Sequence, residues 1–399
     1  MLRSLKGLYH LLVSIFAVLW YGFPANKLTV VGVTGTDGKT TTTTLIYEIC
    51  KKAGLKTSMI TSVHAVIAGK SYDTGFHVTT PSAYHIQEYL REAVNHGDTH
   101  AILEVTSHAL SQYRVFGIRF AVGVLTNVSH EHLDWHKTFE RYLKTKTSLL
   151  QKSQTVVINR DDADSYAYII PRVRNKKIMT YSIRRDAIVT PRTHRFTTLL
   201  PGQFNRYNCL AAIAASEALS ILKERAIETI ASFHGVPGRM EVITKKPCTV
   251  IVDFAHTPNA LFQALRTVRI MAKRKRLIVV FGAASKRDTT KRPLMGKAAS
   301  DYADVIVLTE EDSRREPTQK IIDAIRSGIP NDKQSHVVVL PDRAEAISYA
   351  IQNAQPGDWV LITGKGHEKS ICRGRKEYPW SDQEEVKKNL KQLDYVTKN

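Results

Sequence analysis

After Pro24, short apolar runs alternate with longer segments in which apolar residues recur at helical spacing. In the first half of the chain, the apolar runs predict strands at 28–34, 57–63, 100–106, 120–127, 154–159 and 178–183. The periodic segments there predict helices at 40–53, 82–96, 138–151, 203–221 and 223–232. A second series predicts strands at 248–254, 276–281, 303–309, 335–340 and 358–363, and helices at 258–271, 291–300, 317–327, 343–354 and 383–392. Such alternation is typical of parallel sheets covered by helices, so the pattern predicts an α/β fold.

The alternation is interrupted once, at 234–239, where the sequence His-Gly-Val-Pro-Gly-Arg predicts a hinge. We therefore expect three parts: an apolar segment at 1–25, a central domain with a mostly parallel sheet at 26–240, and a Rossmann-like domain at 241–399. Two α/β domains joined by a hinge are typical of enzymes that close on their substrates.

The N-terminal segment is almost wholly apolar from residue 8 to residue 23, and Arg3 and Lys6 precede this run. Its length falls short of the about 20 residues that a membrane-spanning helix needs. It also lacks the small-residue site at which a signal peptide is cleaved. Two alternatives remain open. The segment forms a helix in the membrane interface, with Trp20 and Tyr21 at headgroup depth, or a helix docked on the protein's own apolar surface.

The composition favours anionic ligands. Lysine and arginine number 57 against 37 acidic residues, which gives a formal net charge of +20. Nucleotides, acidic sugars and a membrane surface all fit this charge. Nucleic acid is not favoured, because the chain has no basic low-complexity tail and no stripe of alternating basic and aromatic residues. The four cysteines lie far apart, which supports neither a zinc ribbon nor a disulfide framework, so we expect a reducing cytoplasm.

A glycine loop with the sequence Gly-Thr-Asp-Gly-Lys-Thr-Thr spans Gly35–Thr41, directly after the first predicted strand and before a predicted helix. Backbone N–H groups at a helix N-terminus favour bound anions. In such a loop Lys39 would reach the terminal phosphates and the Thr40 hydroxyl would hold Mg²⁺. Val33 occupies the position of the first glycine in the common phosphate-loop pattern, and Gly35 is additional. The loop predicts a nucleoside triphosphate as cosubstrate.

Polar residues follow the next two strands of the central domain. Glu104 ends a strand beside the glycine loop, where a carboxylate is placed to bind Mg²⁺. Three histidines, His130, His132 and His136, come after the following strand. Asp134 stands where the zinc motif H-E-x-x-H needs its second histidine, which excludes that motif. These groups are better suited to orient phosphate, metal or a substrate carboxylate.

Three polar loops follow strands of the second series, at 253–258, 286–288 and 364–368. Open α/β sheets bind ligands at the carboxyl ends of their strands, so three loops on one edge predict a second site. Lys146, on the helix predicted at 138–151, has no functional meaning from its position alone.

Taken in order, these motifs resemble the Mur ligases, and most closely the MurE type, over about residues 27 to 390. The matching segments are Gly35–Thr41, Thr79–Pro81, Glu104–His108, Asn127, His132–Asp134, Tyr142, Lys146, Gly202–Asn205, Asn208, Gly238–Glu241, Asp253, Ala255–Pro258, Lys291–Met295 and Gly364–Glu368.

The resemblance implies an ATP-dependent ligase of peptidoglycan precursor synthesis. In that reaction a muramoyl-peptide carboxylate attacks the γ-phosphate of ATP, and the amine of an amino acid attacks the resulting acyl phosphate, with release of ADP and phosphate. The resemblance implies that the catalytic residues are Lys39, Glu104, His132 and Lys146. It also implies two Mg²⁺ ions held by Thr40, Glu104, His132 and Lys146, with the lysine carbamylated so that it offers oxygen to a hard cation.

The same resemblance assigns binding residues. The residues expected to bind ATP are Gly35, Thr36, Asp37, Gly38, Lys39, Thr40, Thr41, Asn127, Asn205, Asn208, Arg239, Asp253 and His256. The residues expected to bind the muramoyl-peptide and the amino acid are Thr79, Thr80, Thr106, Ser107, Arg287, Asp312, Arg314, Gly364 and Glu368.

Two departures from the family pattern leave the substrates open. The apolar segment stands where the family carries an N-terminal UDP-binding domain, so the acceptor is either UDP-linked or lipid-linked. The family's specificity sequence D-N-P-R is replaced by 311–314, Glu-Asp-Ser-Arg. Negative charge at Glu310 and Glu311 suits a cationic side chain such as that of lysine, whereas Arg314 suits a carboxylate such as that of diaminopimelate.

Two other functions remain as alternatives. One is a Mur-ligase-like enzyme that acts on a lipid-linked or polyglutamate-type carboxylate. The other is a non-catalytic, membrane-associated phosphate-loop protein, which the presence of Lys39, Glu104 and Lys146 disfavours. We expect a cytoplasmic protein, either free or in peripheral contact with the inner face of the membrane through residues 1–25, and the sequence does not predict its oligomeric state.

Overall fold

The computed structural model describes residues 2–72, 80–129, 137–285 and 288–396. Three of the predicted site residues, Thr79, His132 and Arg287, lie outside these ranges. The chain packs as two compact units, Met1–His234 and Gly235–Asn399. Both units are built on mostly parallel sheets flanked by helices, which confirms the predicted α/β class.

The first unit contains an eight-stranded sheet in the order β4-β3-β2-β5-β1-β6-β7-β8. Its strands are β1 Thr29–Thr34, β2 Thr57–Ile60, β3 Ala65–Ile67, β4 Lys70–Tyr72, β5 His100–Glu104, β6 Phe120–Leu125, β7 Ser153–Asn159 and β8 Lys177–Tyr181. The six strands from β2 to β8 in this order are parallel, and β3 and β4 extend one edge as an antiparallel hairpin. The carboxyl ends of the two central strands, β5 and β1, therefore lie side by side.

Helices cover both faces of this sheet. They are α1 Leu2–Trp20, α2 Lys39–Lys52, α3 Ala83–Asn95, α4 Ser107–Ser111, α5 Phe139–Gln151, α6 Ala163–Ile169, α7 Gln203–Ala218 and α8 Lys223–Ser232. One apolar core lies between the sheet and α3, α5 and α6, and the other between the sheet and α2, α7 and α8. Burial on both faces explains why the central strands are nearly continuous apolar runs.

The second unit contains a six-stranded sheet in the order β13-β12-β11-β14-β10-β9, and a separate hairpin of β15 and β16. Its strands are β9 Glu241–Thr244, β10 Thr249–Asp253, β11 Leu277–Phe281, β12 Val305–Leu308, β13 Val337–Val339, β14 Trp359–Thr363, β15 Ser370–Arg373 and β16 Lys376–Pro379. Its helices are α9 Pro258–Ala272, α10 Lys291–Tyr302, α11 Thr318–Arg326, α12 Arg343–Gln352 and α13 Asp382–Val396. Within the six-stranded sheet, all strands except the antiparallel edge strand β9 run parallel.

The sequence patterns miss several short elements. The hairpin β3–β4 is made of three-residue strands joined by Ala68 and Gly69, which both have positive φ, as a tight hairpin turn requires. Three residues are too few to display a period of two, so the pattern carried no signal there. The helices α4 and α6 and the strands β9, β15 and β16, none longer than seven residues, were also not predicted.

The apolar N-terminal segment forms α1, which packs against α3 of its own unit. Ser14, Ala17 and Val18 are buried in this contact. Among the described residues, no helix is both long and apolar enough to cross a membrane.

Candidate active site

The glycine loop connects β1 to α2, and at two of its glycines a side chain would collide with a residue of another element. Gly38, at φ +81°, is the residue before α2, and a methyl group on it would lie 2.2 Å from Asn208 Oδ1. Gly35 has φ +154°, and a methyl group there would lie 1.8 Å from Thr126 Oγ1. The additional glycine at position 35 thus allows the loop to approach the end of β6 closely.

The residues that follow β6 hold the loop in place. The Asp37 N–H donates to Asn127 Oδ1 at 3.0 Å, and Asn127 Nδ2 donates back to the Asp37 carbonyl at 3.1 Å. The Thr36 N–H donates to the Asn127 carbonyl at 2.8 Å, and the Thr126 hydroxyl donates to the Asp37 carbonyl at 2.7 Å. Asn127 therefore fixes the shape of the loop, so that its remaining N–H groups are oriented before any anion binds.

Three oxygen-bearing side chains meet at the start of α2. The Thr40 hydroxyl donates to Glu104 Oε2 at 2.9 Å, and the Ser62 N–H donates to the same oxygen at 3.1 Å. The Ser62 hydroxyl lies 3.1 Å from the Thr40 hydroxyl. Glu104 is buried, with 2% of its surface exposed.

This oxygen set fits Mg²⁺, which is bound in proteins by one or two carboxylates together with water and substrate phosphates. No group of three or more histidine, cysteine or acidic side chains that could hold a metal occurs within residues 2–72, 80–129, 137–285 and 288–396. Thr40, Ser62 and Glu104 offer two hydroxyls and one carboxylate, which is the kind of set that water and substrate phosphates complete.

Lys146 reaches the glycine loop from α5. Its side chain is buried, with 1% exposed, and Nζ donates to the Gly35 carbonyl at 2.5 Å. The ammonium also lies 4.4 Å from the centre of the Tyr142 ring, whose hydroxyl is 3.2 Å from the Thr36 hydroxyl. The amine of Lys39 donates to the Thr36 carbonyl at 2.7 Å. Both lysines predicted from the motifs are thus gathered around one loop.

Two predicted nucleotide contacts, Asn205 and Asn208, lie on one side of α7 and are buried. Asn208 Nδ2 donates to Asn205 Oδ1 at 3.0 Å, and Asn205 Nδ2 donates to the Pro201 carbonyl at 2.7 Å. Because Asn208 also faces Gly38, this pair adjoins the glycine loop.

Three of the predicted muramoyl-peptide contacts surround the end of β5. The Thr80 and Thr106 hydroxyls are 3.1 Å apart, and the Thr80 hydroxyl donates to the Glu104 carbonyl at 3.3 Å. Thr106 caps α4 by accepting the Ala109 N–H, and the buried Ser107 begins that helix. These hydroxyls therefore lie directly beside the magnesium-type oxygen set.

In the second unit, Arg239, Asp253 and His256 converge around Phe254. The Arg239 guanidinium stacks 4.2 Å from the centre of the Phe254 ring, and the His256 ring packs edge-on against it at 4.5 Å. Asp253 accepts the N–H groups of Met240 and Ala255 at 2.6 and 2.8 Å. Burial raises the pKa of the Asp253 carboxyl, and the positive charge of Arg239 opposes that rise.

The loop at 364–368 packs closely against this cluster. Gly366 has φ +54°, and a methyl group there would lie 2.8 Å from both the Gly238 carbonyl and Phe254 Cα. A methyl group on Gly238 would lie 2.2 Å from the His367 nitrogen. The glycines at 238 and 366 therefore bring two segments into backbone contact.

The predicted amino-acid pocket contains several acidic groups that are already engaged. Asp312 Oδ1 accepts from Lys365 Nζ at 2.9 Å and from the Cys372 N–H at 3.0 Å, and Lys365 also pairs with Glu368. Arg373 Nε donates to Glu310 at 3.0 Å. The charge of Glu310, which the sequence suggested for a cationic substrate, is thus neutralised within the protein. Arg314 is exposed.

Glu311 differs from its neighbours. It is buried, and its Oε2 has no hydrogen-bond partner among the described residues. This oxygen would lie 3.1 Å from a methyl group on Gly364, which is a tight contact, and the φ of +111° at Gly364 also favours glycine. Burial raises the pKa of the Glu311 carboxyl, while Lys291 and Lys365 act in the opposite direction. A buried oxygen without a partner is a strong candidate for contact with a ligand.

Comparison with known protein families identifies the family of this chain. The profile of the Mur ligase middle domain matches residues 33–216, and that of the Mur ligase glutamate ligase domain matches residues 238–366. The chain belongs to the Mur ligase family. It is accordingly an ATP-dependent ligase that forms carbon–nitrogen bonds.

Named relatives of this Mur ligase are closely similar over most of its length. The UDP-N-acetylmuramoyl-L-alanyl-D-glutamate–2,6-diaminopimelate ligase of Aquifex aeolicus is 40% identical, across 93% of this chain and 79% of the relative. The ligase of the same name from Geobacillus kaustophilus is 39% identical, across 89% and 77%.

Solved structures agree. A structure of a ligase of that name has a TM-score of 0.63 at 31% identity, covering 92% of this chain and 79% of its own. The MurF ligase of Thermotoga maritima in complex with ADP has a TM-score of 0.71 at 19% identity, covering 96% and 84%, and shows the shared fold.

Sequence reasoning missed three residues of this Mur ligase site. Ser62 follows a short strand and resembles any loop serine, and Lys365 was noted only as a member of its loop. Glu311 was noted only for its charge. A signal for Glu311 did exist, because it lies two residues after the strand predicted at 303–309, where an α/β sheet places ligand-binding groups.

Proposed function

We propose that this Mur ligase is of the MurE type. It joins an amino acid to the terminal carboxylate of a muramoyl-peptide in peptidoglycan precursor synthesis, acting in the cytoplasm where ATP is available. Relatives at 39–40% identity are named as UDP-muramoyl-dipeptide ligases, which supports this assignment. The observation that most supports the proposal is that Thr40, Glu104 and the buried Lys146 all lie around one glycine loop.

The chemistry divides into two displacements. A carboxylate oxygen of the acceptor attacks the γ-phosphorus of ATP, and ADP leaves. The amine nitrogen then attacks the acyl carbon, phosphate leaves with one oxygen of the former carboxylate, and the nitrogen loses a proton. Lys39 and the loop N–H groups would lie close to the negative charge on the transferred phosphoryl group. Positive groups that are already in position lower the free-energy barrier of phosphoryl transfer most effectively.

Mg²⁺ would be held by Thr40 and Glu104, with a second ion at His132 and Lys146. When bound, the metal would neutralise negative charge on the phosphate groups of ATP. Lys146 would serve as a carbamate, which forms when the neutral amine adds to CO₂ and releases a proton. The carbamate places anionic oxygen on a side chain that otherwise offers only nitrogen, and a hard cation prefers oxygen.

Further binding roles follow from the resemblance. We assign the acceptor peptide to Thr79, Thr80, Thr106 and Ser107, and the nucleotide to the loop residues Gly35 to Thr41, Asn127, the pair Asn205 and Asn208, and Arg239, Asp253 and His256. The acceptor is UDP-linked in this proposal, as in the names of the relatives.

For the incoming amino acid, we assign Arg287, Asp312, Arg314, Gly364 and Glu368, and we add Glu311. Asp312 acts by orienting Lys365, because its carboxylate accepts from that amine and from a backbone N–H. Glu311 offers the carboxylate oxygen that lacks a protein donor, so it suits an ammonium group of the substrate. Glu311→Gln should therefore raise the KM for the amino acid more than the KM for ATP.

An isotope experiment tests the proposed chemistry. An acceptor whose terminal carboxylate carries ¹⁸O should yield inorganic phosphate with one ¹⁸O atom per turnover, read by mass spectrometry. Phosphate without ¹⁸O would mean that the carboxylate does not attack ATP. A lipid-linked acceptor that reacts when the UDP-linked one does not would retain the chemistry and change the substrate.

A further inference from the structure

The helix α1 has two different faces. One face is buried against its own unit through Ser14, Ala17 and Val18. The other face exposes large apolar side chains, each more than a third accessible: Leu8, Tyr9, Leu12, Val13, Phe16, Leu19 and Trp20, continued by Phe23 just beyond the helix. None of these side chains takes part in the ligase site.

The buried face is held by specific contacts. Val18 packs against Gly117 so closely that a methyl group on that glycine would lie 2.9 Å from Val18 Cγ2. Arg91 Nε on α3 donates to the Tyr21 carbonyl at 2.8 Å, and the Tyr21 ring packs edge-on against Tyr84 at 5.0 Å. The orientation of α1 on the first unit is therefore fixed, and the exposed face points away from α3.

The exposed face, which we call the apolar face of α1, gathers many large apolar side chains in one place. Phe16 and Trp20 stack on each other at 5.7 Å while remaining 58% and 66% exposed. Other exposed large apolar residues within the described ranges, such as Leu222 and Ile188, are scattered over separate elements. A contiguous exposed apolar surface marks a site of interaction, whereas single exposed residues do not.

The charge of the N-terminal segment in sequence indicates which partner suits this face. The first acidic residue of the chain is Asp37, whereas Arg3, Lys6 and Lys27 all precede it. A second copy of the chain is disfavoured, because each copy carries a formal net charge of +20 and the two would repel. A helix with an aromatic apolar face in a purely basic segment matches the interface of an anionic bilayer.

We propose that the apolar face of α1 docks the first unit onto an anionic lipid surface. The aromatic side chains enter the headgroup boundary, and the basic residues of the segment attract anionic headgroups. Because α1 is fixed to α3, the lipid holds the body of the unit in a defined orientation rather than through a flexible tether. The proposal is independent of the ligase function.

Co-sedimentation of the full chain with vesicles tests this. Vesicles of phosphatidylcholine with about 30% phosphatidylglycerol should bind the wild-type protein, and pure phosphatidylcholine should bind it at least about tenfold more weakly. The double variant Phe16→Ser/Trp20→Ser should lose at least about tenfold in affinity for the anionic vesicles. The matched control Leu222→Ser, which alters an equally exposed apolar side chain of the same unit, should bind like the wild type.

A second measurement does not depend on disrupting the face. Lipids brominated in the acyl chain should quench the tryptophan fluorescence of the wild type. Trp20→Phe should bind equally well but lose the vesicle-dependent quenching, because Phe preserves the apolar contact. Equal binding of the double variant and the wild type, or unchanged quenching in Trp20→Phe, would overturn the proposal. So would a wild-type dimer in light scattering that the double variant abolishes, because the occupant would then be a second copy.

Discussion

The Thr40 hydroxyl and the Glu104 carboxylate are joined by a hydrogen bond of 2.9 Å, although 64 residues separate them in sequence. The bond connects the first turn of α2 to the carboxyl end of β5, two elements that the parallel pairing of β1 with β5 brings together. The order of the strands in the sheet therefore brings together the oxygen atoms that suit a divalent cation.

We expect Glu104→Gln to reduce turnover by at least about 100-fold, since loss of a charged group that acts on the reacting phosphates has effects of that order. The amide still accepts from Thr40 and Ser62, so the midpoint of thermal unfolding should hardly change. Glu140→Gln on the surface of α5 is the control and should be active. Wild-type turnover in Glu104→Gln would remove this residue from the metal site.

Lys146→Ala should also be strongly impaired, with activity partly restored by a small carboxylate such as acetate, which replaces the carbamate oxygens. The control is Lys144→Ala, an exposed lysine on the same helix, which should behave like the wild type and show no response to acetate. Impairment of Lys146→Ala without rescue, together with an unmodified lysine in a mass spectrum of the intact wild type, would count against carbamylation.

Two glycines with nearly the same φ allow the effect of crowding at the loop to be separated from the effect of φ. Gly38 and Gly54 have φ of +81° and +82°, but a methyl group meets Asn208 Oδ1 at 2.2 Å in the first case and nothing within 4 Å in the second. Both alanine variants should lose about 1 kcal/mol of unfolding free energy from backbone strain, and Gly38→Ala should lose more because the Asn208 side chain must move. Only Gly38→Ala should also raise the KM for ATP, and equal KM values would contradict the assigned loop.

We expect Glu311→Gln to change the free energy of unfolding by an amount that depends on pH. Because burial raises the pKa of this carboxyl above its ordinary value of 4.5, the native state holds the proton more tightly than the unfolded state, and stability falls as pH rises through that window. The glutamine variant should therefore unfold at higher urea at about pH 7.5, with a smaller gain near about pH 5.

Asp301→Asn, at an exposed ion pair with Lys297, is the control and should show no such pH-dependent gain. A Glu311→Gln variant less stable than the wild type at neutral pH would show that the carboxylate is satisfied by groups other than a ligand.

The sequence predicted the long elements and the loops at strand ends well, because strands buried on both faces and amphipathic helices have strong periodic signals. Gly35 was recognised only as a departure from a pattern, since its role depends on Thr126, which is distant in sequence. The charge of Glu310 was expected to suit a cationic substrate, but Arg373 pairs with its carboxylate. Contacts between residues so far apart in sequence leave no local sequence pattern.

The two faces of α1 were likewise beyond sequence reasoning. The run from 8 to 23 is apolar almost all round, so periodicity could not indicate which side is buried. The structure distinguishes the sides through Gly117 and Arg91, which lie on other elements.

The most direct test of the account is product formation with UDP-linked muramoyl-dipeptide, ATP and Mg²⁺, against lysine, diaminopimelate and ornithine in turn. The account predicts that one of these amino acids yields the amide adduct by mass spectrometry, with one ADP released per adduct. Lys39→Ala, which lacks the loop amine, should yield neither. ATP hydrolysis that proceeds at the same rate without any amino acid, and with no adduct from UDP-linked or lipid-linked acceptors, would contradict the ligase function.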